Sequence, residues 1–565
     1  MIATKFVNKM EKKVWYDKEK NLIFLSHPYD QSYVELVKSI PGRWYEATDH
    51  FWSIPNQRRI LDKFAQLVSK YNMQLDDSLK DSVFCDFVLT EDQLNRSPIT
   101  VSEERKEQLL ASLPINSLIP RNYQLAGIDL MLERKNVING DDMGLGKTGQ
   151  AVLTVEISNS FPCLVICPAG VKYNWKREWH KWYDGRGITI IDEYNSDSLE
   201  TDVLVINYDR LDKNVDWLKL IQWRSVICDE FHYLKNGKSL RSKATRKITR
   251  KIERRIFLSG TPILNAPIEL VNPLTTLRMF EKMFGDWFKF IERYCNGHKD
   301  YLGHWDVSGA SNTLELNMVM RQMVYIRREK REVLDELPEI QHSILEVDID
   351  NRKEYRMAES DLINYLRENV SLVASNSAVN AEQLVQLVRL RILVGKGKLE
   401  SIYEFIDNFL ESSTRKLLVF GIHVEVVELI AAKYGCQKIY GATDPKKRLD
   451  IVRNFAENNE RILVGNIQSL GVGTDGLQDA CSDMLITEFP DRPGDIDQIV
   501  GRLERIGQKN AINIYYSKAR ETIDEILWDS LELKRVITDG VNKGRVVERN
   551  VSVMKSVLRS YLKAL

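Results

Sequence analysis

Three stretches of the chain differ in hydrophobic periodicity. Over residues 1–100, short apolar runs alternate with helical patterns. Leu22–Leu25 predicts a strand, Gln31–Ile40 a helix, Arg43–Tyr45 and Phe51–Pro55 two strands after turns, and Gln57–Tyr71 a second helix. A polar, charged segment near residues 90–112 predicts a linker. From about residue 118, apolar runs at Asn136–Asn139, Cys163–Cys167, Val203–Ile206, Val226–Cys228 and Ile256–Leu258 are separated by helical stretches. Strands buried on both faces are apolar throughout, so this alternation predicts a parallel sheet covered by helices. Residues 262–400 read as mostly helical, rich in Met and aromatics. A second strand-and-helix series follows at Lys416–Phe420, Gln437–Tyr440, Arg461–Val464, Met484–Thr487 and Ile512–Tyr516.

The expected fold class is α/β: two parallel-sheet domains with helical insertions and a small α+β N-terminal module. The expected division is a module over 1–100, a first domain over 101–265, helical insertions over 266–400, a second domain over 401–530 and a basic tail over 531–565. A chain of 565 residues is too long for a single core, which agrees with this division.

Charge alters the picture locally, not globally. Lys+Arg and Asp+Glu both number 80, so any nucleic-acid contact must come from local basic surfaces. One such stretch runs from Lys235 to Arg255, with ten cations against Glu253 alone; a solvated or acid-paired helix face is the other reading. The segment after Leu531 is also basic, with a flexible tail as its default reading. Backbone contacts without sequence preference are expected. No run of about 18 apolar residues predicts a membrane span, and the first residues lack the apolar core of a secretory signal. A soluble cytoplasmic protein of a bacterial or phage-infected cell is expected, acting as a monomer. The seven cysteines form no Cys-x-x-Cys pair, so reduced buried thiols are expected instead of a zinc site.

The strongest local signal is Gly140–Thr148, Gly-Asp-Asp-Met-Gly-Leu-Gly-Lys-Thr, between a strand and a helix. Phosphates need inward-pointing backbone N–H groups, and glycine lets the chain approach closely. Met143, Gly144, Leu145, Gly146, Lys147 and Thr148 are therefore candidate nucleotide-binding residues. Lys147 would reach the β- and γ-phosphates and Thr148 would hold Mg²⁺. Asp141 stands where such loops usually carry Gly or Ala. About eighty residues on, an apolar strand delivers Asp229 and Glu230 to the carboxyl end of the sheet. Asp229 would hold Mg²⁺, directly or through water, and Glu230 would accept a proton from the attacking water. Upstream, Arg121 and Gln124 open a helix, and the Gln124 amide could read an adenine edge. Near the end, Gln498, Arg502 and Arg505 fall at i, i+4 and i+7, expected on one helix face. Two guanidiniums aimed at one point suit the charge that develops on a γ-phosphoryl group.

In order over residues 118–520, these motifs resemble a Swi/Snf-type member of helicase superfamily two. The matching residues are Asp141–Thr148, Cys167-Pro168-Ala169 with Asn174-Trp175 and Glu178-Trp179, and Val205–Asp209. They continue through Asp229–Asn236, Leu258–Asn265, Arg327–Lys330 with Leu337-Pro338, and Arg502–Gln508. The resemblance implies two RecA-like domains, ATP and Mg²⁺ as cofactors, and DNA as the partner. It implies that Lys147, Asp229, Glu230, Arg502 and Arg505 are catalytic. His232, Ser259, Gly260 and Thr261 would couple the nucleotide site to DNA. Three places depart from the family pattern: Gly471–Leu477 is one residue longer, Asp491-Arg492-Pro493 lacks the usual Trp, and Phe231 replaces a small residue. Ile40–Trp44 and Phe51–Pro55 resemble the HARP module of annealing helicases that remodel forks; the alternative is that Trp44 and Trp52 fill a small β core. The expected activity is ATP-driven translocation on duplex or branched DNA, with fork regression, branch migration or strand annealing as the task and replication or recombination proteins as further partners. Open alternatives are a motor that recycles RNA polymerase, a strand-separating helicase, and a nucleotide-gated DNA-binding module that does not hydrolyse.

Overall fold

In the computed structural model, the described residues are 12–46, 51–71, 73–84, 97–191, 201–299, 303–334, 337–369, 377–470, 476–505 and 507–544. The first lobe is built on seven parallel strands. Their spatial order is Tyr325–Ile326, Asn136–Asn139, Arg254–Leu258, Ser225–Asp229, Cys163–Cys167, Val203–Asn207 and Ile188–Ile190. Every residue of Cys163–Cys167 and Val203–Asn207 is buried, because helices cover both faces. The second lobe has six parallel strands in the order Ile340–Val347, Ile512–Ala519, Asp483–Ile486, Leu417–Gly421, Ile462–Asn466 and Gln437–Ile439. Two RecA-like domains are the result.

The span expected to be helical also supplies a strand to each sheet. Tyr325–Ile326 joins the first-lobe sheet beside Asn136–Asn139, and the eight residues Ile340–Val347 join the second beside Ile512–Ala519. The segment expected to be a linker contains the helix Glu103–Ala111, capped by Ser102, whose side chain accepts from Arg105 N–H. The basic segment after Leu531 continues the helix Ile523–Lys543. Residues 545–565 lie outside the described residues.

The N-terminal module is a five-stranded sheet in the order Trp44–Glu46, Phe51–Pro55, Leu22–Ser26, Lys13–Asp17 and Gln74–Leu75. Neighbours are antiparallel except for the last pair. The helices Gln31–Lys38 and Leu61–Tyr71 pack on it around Tyr33, Val37, Phe64 and Leu67. Trp52 packs against this core, whereas Trp44 is 70% exposed on the edge strand and fills nothing.

The module is seated on the helix Thr313–Met323. Leu314 of that helix is buried within the module's own core, and Asp62 accepts a hydrogen bond from Glu315 N–H at 3.3 Å. Burial in this contact pushes the Asp62 carboxyl up to about 7. The same helix holds the end of the C-terminal helix: Asn317 Nδ2 donates to the carbonyls of Val541 (2.6 Å) and Asn542 (3.1 Å). Asn542 Nδ2 in turn donates to Ile263 O at 3.4 Å, so a helix from the second lobe ends on the first.

Truncating Leu314 to Ala should loosen the module without unfolding the two lobes. We expect a cost of about 2–4 kcal/mol at this contact. Native-state proteolysis should then cleave the 12–84 module faster while the rest of the chain resists as before.

Candidate active site between the lobes

Three neighbouring strands of the first lobe release the site's residues at their carboxyl ends. Asn136–Asn139 leads into the glycine loop, Ser225–Asp229 into Glu230, and Arg254–Leu258 into Ser259. Gly144 (φ 90°) and Gly146 (φ 74°) take the left-handed backbone that other residues avoid, which lets the loop turn into the helix Lys147–Ile157. A Cβ on Gly146 would stand 2.3 Å from Gln124 Nε2. Lys147 Nζ donates to the loop carbonyls of Asp141 (2.8 Å) and Asp142 (3.1 Å), and burial pushes its pKa down. Thr148 follows it, half-buried, on the first turn of the helix.

The acids at the loop's start are neutralised from far along the chain. Arg328 meets Asp141 through Nε (3.0 Å to Oδ1) and a second nitrogen (2.5 Å to Oδ2), with both side chains fully buried. Arg327 pairs with Asp142 and donates to the carbonyls of Gly140 (2.6 Å) and Gly260 (3.0 Å). Asp141, a departure in the sequence, is therefore half of a buried bidentate ion pair. The sequence motif contained both arginines but gave no hint of their partners.

Asp229 is fixed by two donors: Trp175 Nε1 at 2.8 Å and its neighbour's amide, Glu230 N, at 3.0 Å. Burial and the adjacent Glu230 charge push it up to about 6. Glu230 has φ 48°, a strained conformation for a non-glycine residue. Ser259 Oγ donates to Glu230 Oε2 at 2.8 Å, and His232 Nδ1 lies 3.2 Å from the same oxygen. Burial opposes the Glu230 charge, but His232, Lys147 and Ser259 outweigh it and hold the carboxyl down to about 2. Ser259 also accepts from Thr261 N–H at 3.2 Å, so His232, Ser259, Gly260 and Thr261 form one connected stretch beside Glu230. Phe231 is wholly buried and packs near Phe257, which explains the large residue after the two acids.

The second lobe reaches this site through the helix Pro493–Leu503. A Cβ on Gly501 would lie 3.2 Å from Met143 Cβ, and one on Gly494 3.2 Å from Thr261 and Leu264. Gln498 and Arg502 are half-buried on that helix. Arg505 is not: the helix ends at Leu503, and Arg505 lies in the bend that follows, with Nε donating to Gly501 O at 2.9 Å. The bend nevertheless brings Arg505 to the glycine loop, 3.5 Å from where a Cβ on Gly144 would stand.

Gln124 sits differently from a free adenine reader. Its Oε1 accepts from Arg121 N–H (2.9 Å) and its Nε2 donates to Leu145 O (3.3 Å), so it joins the helix start to the glycine loop. Half of the Lys235–Arg255 cations are likewise engaged. Lys235 pairs with Glu269, Arg241 lies 3.6 Å from Asp209, and Arg246, Arg254 and Arg255 bond to Asn272, Met131 O and Asn136 respectively. Lys238, Lys243, Lys247, Arg250 and Lys251 remain exposed. Of the coupling motif over 471–477, residues 471–475 lie outside the described residues; Asp491 accepts from Arg391 at 2.9 Å. Cys163, Cys167, Cys228, Cys295 and Cys481 are buried free thiols and Cys436 is a half-buried one; Cys85 lies outside the described residues. Among the described residues, no helix is long and apolar enough to cross a membrane.

Comparison with known families covers both lobes. An SNF2-related domain matches residues 123–395 and a helicase conserved C-terminal domain matches residues 397–507. The chain belongs to the Swi/Snf family of superfamily-two, helicase-type DNA-dependent ATPases. Similar curated proteins include a homolog of SWI/SNF-related matrix-associated actin-dependent regulator of chromatin subfamily A-like protein 1 from Caenorhabditis elegans. It is 28% identical over 529 residues, covering 90% of this chain and 73% of the relative. The human DNA annealing helicase and endonuclease ZRANB3 is 30% identical over 474 residues, covering 79% of this chain and 42% of the relative. The subfamily A-like protein 1 of Xenopus laevis is 29% identical, covering 78% of this chain and 46% of the relative. The chain thus spans under half of two of these three proteins.

Arg328→Met should be strongly destabilising, because it leaves the buried Asp141 charge without a partner. We expect a loss of about 3–5 kcal/mol. Adding Asp141→Asn to that variant should recover much of the loss, read as the midpoint of thermal unfolding.

Proposed function

We propose that the chain hydrolyses ATP between its lobes and uses the closing motion to move along DNA, with branched DNA as its working substrate. The observation that carries the hydrolytic part is the approach of Arg505 to the glycine loop beside Lys147, Asp229 and Glu230. A loop of left-handed glycines at a helix start fits a triphosphate, and the carboxylate of Asp229 with the hydroxyl of Thr148 on the first turn of that helix offers oxygen ligands that fit a divalent cation. Met143, Gly144, Leu145, Gly146 and Lys147 would hold the phosphates, with Arg121, Gln124 and Gln498 at the edges of the pocket. Thr148 and Asp229 would hold Mg²⁺, which supplies charge neutralisation for phosphoryl transfer. Glu230 is ionised at neutral pH and so is available to accept the proton of the attacking water, as a weaker base than an ordinary carboxylate. Arg502 and Arg505 bring positive charge from the other lobe, so turnover requires closure.

His232, Ser259, Gly260 and Thr261 link that proton acceptor to Gly494 of the facing lobe and would carry the state of the site toward DNA. The exposed cations Lys238, Lys243, Lys247, Arg250 and Lys251 would contact phosphates without reading bases. The branched-DNA reading draws support from the likeness to a DNA annealing helicase and from the seated N-terminal module, where Trp44 stands exposed. The three relatives are animal proteins, so they lend no support to a bacterial or phage setting.

Lys147→Ala should abolish turnover in a folded protein. Arg502→Ala should still bind ATP yet lose roughly 10³-fold or more in hydrolysis rate. Normal turnover in Glu230→Gln would overturn the hydrolytic reading. Removing the N-terminal module should spare ATPase activity on plain duplex and erase preference for forks; full fork preference without it would count against the branched-DNA part. The acidic limb of kcat/KM for ATP should fall near pH 6 as Asp229 takes up a proton, with Glu230 still ionised there. Raising Mg²⁺ should move that limb to lower pH, since metal and proton compete for the same carboxylate.

A further inference from the structure

One contact between the lobes is made by protein groups alone. Lys330 Nζ lies 2.8 Å from Glu504 Oε2 and also donates to the Glu504 carbonyl. The two side chains are 5% and 17% exposed. Lys330 is anchored on its own side: its backbone N–H donates to Asp142 Oδ2 at 3.0 Å, on the carboxylate that also pairs with Arg327. Glu504 is the residue at which the chain leaves the helix Pro493–Leu503, placed between Arg502 and Arg505. Around a Cβ built on Gly144, Arg505 Cγ would stand at 3.5 Å, Lys330 Cε at 3.6 Å and Glu504 O at 3.8 Å.

An exposed ion pair would add little, and a pair buried between two lobes carries a desolvation cost that its attraction barely offsets. Its value lies in geometry. The ammonium meets a carboxylate and a main-chain carbonyl of one residue together, which only one register of the two lobes allows. Charge argues the same way. Lys330 and Arg505 crowd the glycine loop, close to Lys147 and Arg327, and Glu504 supplies the negative charge that lets the second-lobe bend approach them.

We propose that Lys330 and Glu504 form a latch that sets the register of lobe closure and so positions Arg505, and Arg502 one turn earlier, against the glycine loop. Both are positioning residues, acting through the arginines that flank Glu504. The proposal rests on the reading that ATP is hydrolysed between the lobes.

The test is a double-mutant cycle of Lys330→Met and Glu504→Gln, with kcat and KM for ATP measured at saturating duplex DNA and binding of a fluorescent ATP analogue measured alongside. Each single variant should lose roughly 10-fold in kcat with KM changed by no more than about 3-fold, and the double variant should be no slower than the worse single. Lys330→Arg, which keeps a donor for both acceptors, should retain most of the rate. Wild-type kcat in both singles, or losses that multiply in the double, would overturn the latch. Arg502→Ala in the same assay separates the two ideas: if it keeps full rate, hydrolysis between the lobes fails; if it loses rate while the latch variants do not, only the latch fails. Should Lys330→Met not fold, Glu504→Gln alone and combined with Lys330→Arg carries the same comparison.

Discussion

The structure depends on the neutralisation of two acids at the mouth of the glycine loop. Asp141 is wholly buried, and a buried carboxylate is tolerable only beside a counter-ion with good geometry. Arg328 supplies that geometry from 187 residues away, with two nitrogens on two oxygens and its remaining capacity spent on Tyr123 O and Gln150. The adjacent Arg327 pairs with Asp142 through one nitrogen and turns another to the carbonyls of Gly140 and Gly260. Because Tyr325–Ile326 is itself a strand of the same sheet, the loop is clamped to the framework of the lobe, not suspended from it. The anchored segment then continues to Lys330 and the facing lobe.

A similar economy governs the acids at the sheet's carboxyl end. Asp229 and Glu230 are neighbours in sequence but lie in different electrostatic surroundings. One faces an indole N–H and a backbone amide; the other faces a serine, an imidazole and the loop lysine. Environments that push two carboxyls apart suit them to different tasks, and Glu230 has left-handed backbone where the strand ends.

Much of this was legible in the sequence where a residue's neighbours are local. Cys163–Cys167 and Val203–Asn207 are apolar throughout because both faces are buried, and such runs announce themselves. The glycine loop was legible because its chemistry is contained in nine consecutive residues. Ile340–Val347 was not, since it is an edge strand with no fully buried residue and no strict alternation of apolar and polar positions, lying within a stretch otherwise rich in helix. The place of Arg505 was misjudged for a related reason: the i+7 spacing assumes that the helix continues, and it stops at Leu503. The partners of Asp141 and Asp142 could not be read at all, because a pairing across nearly two hundred residues leaves no trace in either local pattern. The basic stretch 235–255 overstated its free charge, because Arg246, Arg254 and Arg255 are spent inside the lobe.

The C-terminal helix constrains how the motor can move. The lobes are already joined by the chain between Leu334 and Ile340. The helix Ile523–Lys543 makes a second attachment by ending on Asn317 and Ile263 of the opposite lobe. A body pinned to another at two separated points keeps one easy degree of freedom, rotation about the line through the pins. Opening and shutting then resemble a door on two hinges, and each cycle returns the moving part along the same arc.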